Sequence, residues 1–147
     1  MAINTGKVVL GGLVAGVVMN VSGFLVQGML LGSRMEAEMV AVAPELQGRG
    51  MDAMSMTGRI ATQFVIGLLL VWLYAAMRPR FGPGMKTATY AALVVWLCGF
   101  LFYLDWLYVG LMSAGMYAIV SAVMFVTLLL AAGIGGKLYS EDAGASA

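Results

Sequence analysis

The sequence predicts an all-α fold, a bundle of four helices that cross a membrane. Hydrophobic residues make up 62% of the 147-residue chain and charged residues 10%, with a mean hydropathy of +0.96. A soluble domain carries about 45–50% apolar and about 25% charged residues, and a domain this small cannot bury such an excess. Lipid must therefore replace water around much of the chain. Long apolar runs then favour helices, because only helices and closed barrels satisfy the backbone within lipid.

Four apolar runs are close to or above the roughly 20 residues that cross the hydrocarbon core. They cover about residues 8–32, 60–77, 88–108 and 114–138. Gly110, Ser113 and Gly115 predict a turn between the last two runs, which then form a helical hairpin. The first run exceeds the roughly 7–15 apolar residues of a signal peptide, so we expect it to remain as a span. Residues 1–138 then form one transmembrane domain, followed by a disordered tail over 139–147.

Basic residues divide unequally between the two ends of such a bundle. The end that holds both termini and the loop between the second and third spans has five of them: Lys7, Arg78, Arg80, Lys86 and Lys137. The other end has three basic residues, Arg34, Arg49 and Arg59. Most of the acids lie at this end as well. An excess of Lys and Arg marks the cytoplasmic side, so both termini are expected in the cytoplasm of a cell with a bacterial-type inner membrane.

The segment 33–57 is then expected on the outer side, where it joins the first two spans. Met35, Met39 and Val42 have helical spacing within it, which predicts a short helix on the membrane surface. Pro44 and the glycines that follow would end that helix.

Small residues in the spans predict the faces on which the helices pack, because they let two backbones approach closely. The candidate packing glycines are Gly12, Gly16, Gly28, Gly32, Gly67 and Gly99. On the third span, Trp96, Tyr103 and Trp106 share the face of Gly99 and are expected to point inward.

Polar residues inside the spans allow two interpretations. Asn20, Gln27 and Gln63 either form hydrogen bonds between helices or line a path for a ligand or ion. Asp105 is the one acid within an apolar span, and an ionisable group there is a candidate functional residue. Arg59 begins the second span at a similar depth. The two are expected to form a structural ion pair or, alternatively, part of a proton or cation site.

Methionines form a second pattern, since seven of the 13 map to the outer side: Met35, Met39, Met51, Met54, Met56, Met112 and Met116. Thioether sulfurs suit Cu(I), so these residues are candidate ligands for a soft metal. The alternative is that they fill irregular gaps in the fold, as methionine commonly does.

The composition argues against several classes of function. The chain has no histidine, which removes the commonest metal ligand and general base, and its single cysteine, Cys98, cannot form an intrachain disulfide. The basic residues form no tract for nucleic acid, and no phosphate loop, nucleophile elbow or metalloprotease motif is present. We therefore expect a non-enzymatic protein without a cofactor, whose surroundings are the lipid bilayer.

Residues 11–16, GGLVAG, and residues 92–100, ALVVWLCGF, resemble segments of small four-span bacterial membrane proteins of unknown function. The resemblance covers most of the chain and implies the four-span layout, but no mechanism and no site. Three functions remain open. The first is packing with a second copy or a larger membrane partner. The second is a small-ion or proton transporter or channel that uses Asp105 with Asn20, Gln27 and Gln63. The third is copper binding by the methionines.

Overall fold

The computed structural model describes residues 3–49 and 52–139 and confirms the all-α fold. Its helices are α1 (Thr5–Gly23), continued by a π-helical segment (Phe24–Leu30), then α2 (Gly32–Val42), α3 (Ala53–Phe81), α4 (Met85–Tyr108) and α5 (Ala114–Leu138). Four helices are long and apolar enough to cross a membrane, with α1 and the π segment counting as one of 26 residues. The expected short helix after the first span is also confirmed, as α2.

Three of the long helices begin at a side-chain cap. The side chains of Asn4, Asp52 and Ser113 accept hydrogen bonds from the backbone N–H groups of residues 7, 55 and 116. Such caps satisfy donors that the first turn of a helix leaves without an intrahelical partner. Because the caps of α1 and α3 lie before the apolar runs, these two helices begin earlier than the runs alone indicated.

Two tight turns connect the last three helices. Between α3 and α4, Gly82 has a positive φ of 81°, and its carbonyl accepts a hydrogen bond from the Thr87 hydroxyl at 2.5 Å. The Tyr74 hydroxyl accepts a hydrogen bond from the Gly84 N–H at 3.1 Å. Between α4 and α5, Gly110 has a φ of 77°, as expected of a glycine in a reversal of the chain. Each turn makes its two helices antiparallel neighbours.

Glycines bring α1 close to α3 and α5. A Cβ added to Gly67 would lie 2.6 Å from the Gly12 carbonyl oxygen and 2.6 Å from the Gly16 nitrogen. A Cβ added to Gly11 would lie 2.5 Å from the carbonyl oxygen of Gly135 on α5. At these points the helices touch backbone to backbone, and α4 completes the bundle against α5 and α3.

Burial is concentrated at one end of the bundle. We call this the basic half: residues 5–19 of α1, 67–81 of α3, 85–92 of α4 and 128–138 of α5. The rest of the four long helices, toward α2, is the loop half. Among the described residues, all buried positions of α1, α3 and α4 belong to the basic half. On α5 the loop half contributes two buried residues, Met116 and Tyr117.

In the loop half, two hydrogen bonds join α4 to α5. The Trp96 indole N–H donates to the Ser121 carbonyl at 2.9 Å, and the Tyr117 hydroxyl donates to the Phe100 carbonyl at 2.5 Å. Further along α4, Tyr103 is 50% exposed and Trp106 is 42% exposed. The prediction that these two aromatic residues point inward was therefore wrong, because α1 and α3 do not close over this part of α4.

Candidate functional site

The polar residues of the first two spans meet at the α1–α3 interface. The Asn20 side-chain amide donates to the Gly16 carbonyl at 2.9 Å and to the Ile60 carbonyl at 3.4 Å, so it ties α1 to α3. Gln63 lies beside it: its amide nitrogen is 3.7 Å from where a Cβ on Gly23 would be. The side-chain oxygen of Gln63 is buried and has no hydrogen-bond partner within the described part of the chain. This oxygen is therefore a buried acceptor whose hydrogen-bonding capacity is unused.

Gln27 lies seven residues after Asn20, in the π-helical segment, and is half-buried. The hydrogen bond from the Leu31 N–H to the Val26 carbonyl, at 2.8 Å, spans five residues and marks the wider π turn. Such turns are rare and often lie at functional sites. Asn20 and Gln63 thus meet at the α1–α3 interface, whereas no described contact joins Gln27 to α3.

The candidate packing glycines divide into two groups. Gly12 and Gly16 contact α3, Gly67 contacts α1, and a Cβ on Gly99 would meet the end of the Met124 side chain on α5. Gly28 and Gly32 differ, because the described atoms nearest to their Cβ positions belong to Phe24 and Gln27 of the π-helical segment. Among the described residues no second helix lies against the Cβ positions of this pair, so its packing role stays a prediction.

Asp105 is exposed near the end of α4, and Arg59 is exposed in the loop half of α3. Within residues 3–49 and 52–139, no ion pair within 4.0 Å joins them; the ion pair there is between Arg34 and Glu38, at 4.0 Å. The expected pairing of Arg59 with Asp105 is therefore not formed. No described hydrogen bond connects Asp105 with Asn20 or Gln63.

The candidate methionines differ widely in how exposed their side chains are. Met54, at the start of α3, is 87% exposed, whereas Met116 is fully buried in α5. Met35 and Met39 on α2 and Met112 in the α4–α5 turn are half-buried, and Met56 is exposed. Met51 lies outside the described residues. A buried thioether such as that of Met116 fills space in the bundle, as expected of methionine as a gap-filler.

An unexpected contact fixes α2 to the α4–α5 turn. The Glu38 carboxylate accepts hydrogen bonds from the N–H and the hydroxyl of Ser113, both at 3.0 Å. These bonds from Ser113, with a smaller contribution from the Arg34 charge, hold the pKa of Glu38 below its usual value. A depression of about 290 Å³ lies beside the contact, lined by Glu38 and the turn residues. The sequence showed Ser113 as a turn residue, but not its partner 75 residues away.

A second unexpected cluster closes the opposite end. Tyr139 was expected in a disordered tail, yet it is only 3% exposed. Its hydroxyl accepts a hydrogen bond from the Asn4 N–H at 3.3 Å, and its ring meets the edge of Tyr74 with centroids 6.3 Å apart. The end of the chain after α5 is thereby joined to the start of α1. The rest of the predicted tail lies outside the described residues.

Comparison with known proteins assigns no family to the chain. No family model, no curated protein and no solved structure matches it. The contacts, burial and charges of the described residues are therefore the observations that bear on its function.

Proposed function

We propose that the protein is a non-enzymatic, multi-pass component of a bacterial-type inner membrane that packs against another membrane-embedded chain. That chain is a second copy or a larger membrane protein. Four helices of spanning length support the membrane setting. The first and last spans place the N-terminus and the C-terminus of the chain at the end that carries five basic residues. An excess of Lys and Arg is typical of the cytoplasmic side, which supports cytoplasmic termini. Protease access to tags at the two termini in intact cells and in inverted vesicles tests that orientation.

The observation that carries the proposal is the small-residue face of α5. In the basic half, Gly135 and Gly136 are buried against the neighbouring helices. In the loop half, Gly115, Ala118 and Ala122 form a similar stripe that is exposed. Lipid chains gain little from such a stripe, whereas another helix can approach it closely. This difference along one helix supports a partner helix on the exposed stripe.

The interior of the basic half supports a packing role over a conducting one. Leu70, Val71 and Leu128 are fully buried there, together with several alanines. A water-filled route across the membrane would have to pass through this apolar region. Where α1 meets α3 and α5, glycine backbones touch and leave little room for water.

Self-association through α5 can be measured in liposomes. Cys98 is the single cysteine and is exposed on α4, so donor and acceptor dyes can be attached there. Energy transfer between copies should rise with protein density and fall to the background level in Ala118→Leu. The matched control is Ala76→Leu, the same substitution at an exposed position of α3.

A larger partner is tested with a photo-cross-linking residue at position 118 in intact cells. One adduct of defined size is expected from position 118 and none from position 76. Random collisional energy transfer in liposomes, combined with no position-specific adduct in cells, would contradict the proposal in both of its forms.

Movement of a small ion or proton is the second candidate function. One observation favours it: the buried Gln63 oxygen lacks a partner among the described residues and lies beside the π segment that holds Gln27. Flux of protons and of monovalent cations into liposomes tests this function. A flux that is present in the wild type and lost in Gln63→Leu would favour it, whereas equal leakage from protein-free liposomes would exclude it.

A further inference from the structure

The basic end of the bundle gathers positive charge from all four long helices. Its basic residues are Lys7 on α1, Arg78 and Arg80 on α3, Lys86 on α4 and Lys137 on α5. Within the described ranges, no Asp or Glu lies at this end. The nearest acids in the sequence, Glu141 and Asp142, lie outside those ranges. Two helices, α1 and α4, begin here and two, α3 and α5, end here, so the partial charges of the helix termini largely cancel and the side chains decide the charge of this end.

Arg78 is the most constrained of these side chains. Its Nε and one terminal nitrogen, Nη1, are buried, and neither has a hydrogen-bond partner among the described residues. Its guanidinium carbon lies 5.5 Å from the centre of the Tyr139 ring, in a cation–π arrangement. Tyr139 is in turn fixed by the Asn4 N–H and by Tyr74. Two nitrogens of the guanidinium thus carry N–H groups that make no hydrogen bond to the described residues.

Buried donors without partners are costly, so an arrangement in which the Arg78 side chain turns outward to an acceptor would be favoured. Guanidinium groups match phosphate oxygens especially well, because two parallel N–H groups can donate to one phosphate. A cavity of about 120 Å³ lies at the same end of the bundle, and its lining includes Tyr74 and Lys137 but not Arg78. A phosphate at this end would be surrounded by the positive charges of the other basic residues.

The depth of Arg78 indicates the source of the phosphate. Arg78 directly follows the apolar run 60–77, so its guanidinium lies where the span ends and lipid headgroups begin. We propose that the basic end binds the phosphate of an anionic phospholipid, with Arg78 as the hydrogen-bonding residue and Lys137 as a supporting charge. This binding does not depend on the proposed partner of α5, since the two surfaces lie in opposite halves of the bundle.

Thermal unfolding in a neutral detergent tests the inference. Phosphatidylglycerol should raise the midpoint of the wild type, while phosphatidylcholine should not. Arg78→Gln should weaken the apparent affinity for phosphatidylglycerol on the order of tenfold, and Arg78→Lys should recover only part of it, because lysine cannot donate two parallel hydrogen bonds. Arg49→Gln, which removes an exposed arginine at the other end, should respond like the wild type.

Two further measurements keep the result decisive. If Arg78→Gln does not fold, Lys137→Gln replaces it, with a smaller loss of affinity expected. Inorganic phosphate at millimolar concentration should not reproduce the lipid effect. An unchanged phosphatidylglycerol response in the Arg78 and Lys137 variants, an equal response to phosphatidylcholine, or an equal response to inorganic phosphate would each overturn the proposal.

Discussion

The basic half and the loop half of the bundle contain similar apolar residues but pack differently. In the basic half, glycines at positions 11, 12, 67 and 135 let backbones touch, and the side chains between them are buried. In the loop half, large side chains such as Phe102, which is 82% exposed, point outward. Within the membrane, packing and hydrogen bonds drive helix association, since lipid is as apolar as the side chains.

This difference shows that hydrophobicity placed the helices in the membrane, whereas residue size decided where they join. The basic half is expected to carry most of the stability of the bundle. The loop half contributes specific contacts between α4 and α5, and between α2 and the α4–α5 turn. The following predictions test whether stability divides between the halves in this way.

The largest effect is expected at the closest approach of α1 and α3. In Gly67→Ala the added methyl group would overlap the backbones of Gly12 and Gly16, so the helices must separate. Overpacking of this kind typically costs about 1–3 kcal/mol. Gly58→Ala is the control on the same helix, because its Cβ position has no described atom within 4 Å. Unfolding in mixed micelles should show a lower free energy of unfolding for Gly67→Ala and no loss for Gly58→Ala. Equal free energies of unfolding for the two variants would contradict the distinction between the halves.

A smaller loss is expected when the tyrosine that closes the basic half is truncated. Tyr139→Leu removes the acceptor of the Asn4 N–H and the ring beneath Arg78. A lost hydrogen bond and aromatic contact together are worth about 1–2 kcal/mol. Tyr108→Leu, at an exposed position of the loop half, should be near neutral. Comparable losses in the two variants would show that Tyr139 contributes no more than an exposed tyrosine.

A local effect is expected for the contact between α2 and the α4–α5 turn. Glu38→Gln replaces a charged acceptor of two Ser113 hydrogen bonds with a neutral one. Amide hydrogen exchange should therefore become faster over residues 32–46, with little change in the basic half. Glu45→Gln, on the same exposed segment, is the control. Uniformly faster exchange throughout the bundle would contradict a purely local role.

The same contact should respond to pH. Because the folded pKa of Glu38 is lowered, its contribution to stability is complete above the unfolded pKa of a glutamate. It is lost as the pH falls through the lowered folded pKa. Protection of α2 in the wild type should thus decrease in acid, and Glu38→Gln should show less of this decrease. Identical pH profiles for both proteins would rule out Glu38 as the responsible group.

The smallest effect is expected for Asp105. Its side chain is exposed and forms no described ion pair with Arg59, and exposed substitutions usually change stability by less than about 0.5 kcal/mol. A double-mutant cycle of Asp105→Asn and Arg59→Gln should give a coupling energy close to zero. A coupling above about 1 kcal/mol would restore the ion pair that the sequence suggested.

The number and type of the spans could be predicted from the sequence. Long apolar runs in lipid must be helical, because every backbone group needs an internal partner, and this rule needs no knowledge of neighbours. The turn between α4 and α5 and the helix α2 followed from local residue chemistry in the same way. Asn20 and Gln63 could be identified from the sequence as polar residues within apolar runs. Their positions relative to Asp105 could not be predicted from it.

Only the tertiary structure decided which of several similar surfaces became interfaces. Gly12 and Gly28 have the same local chemistry, yet only Gly12 meets another helix, because α3 approaches α1 in the basic half. The contacts of Tyr139 with Asn4 and of Glu38 with Ser113 join residues far apart in the chain. Such contacts depend on how the helices cross, and the pattern of one helix indicates a packing face but not which neighbour will meet it.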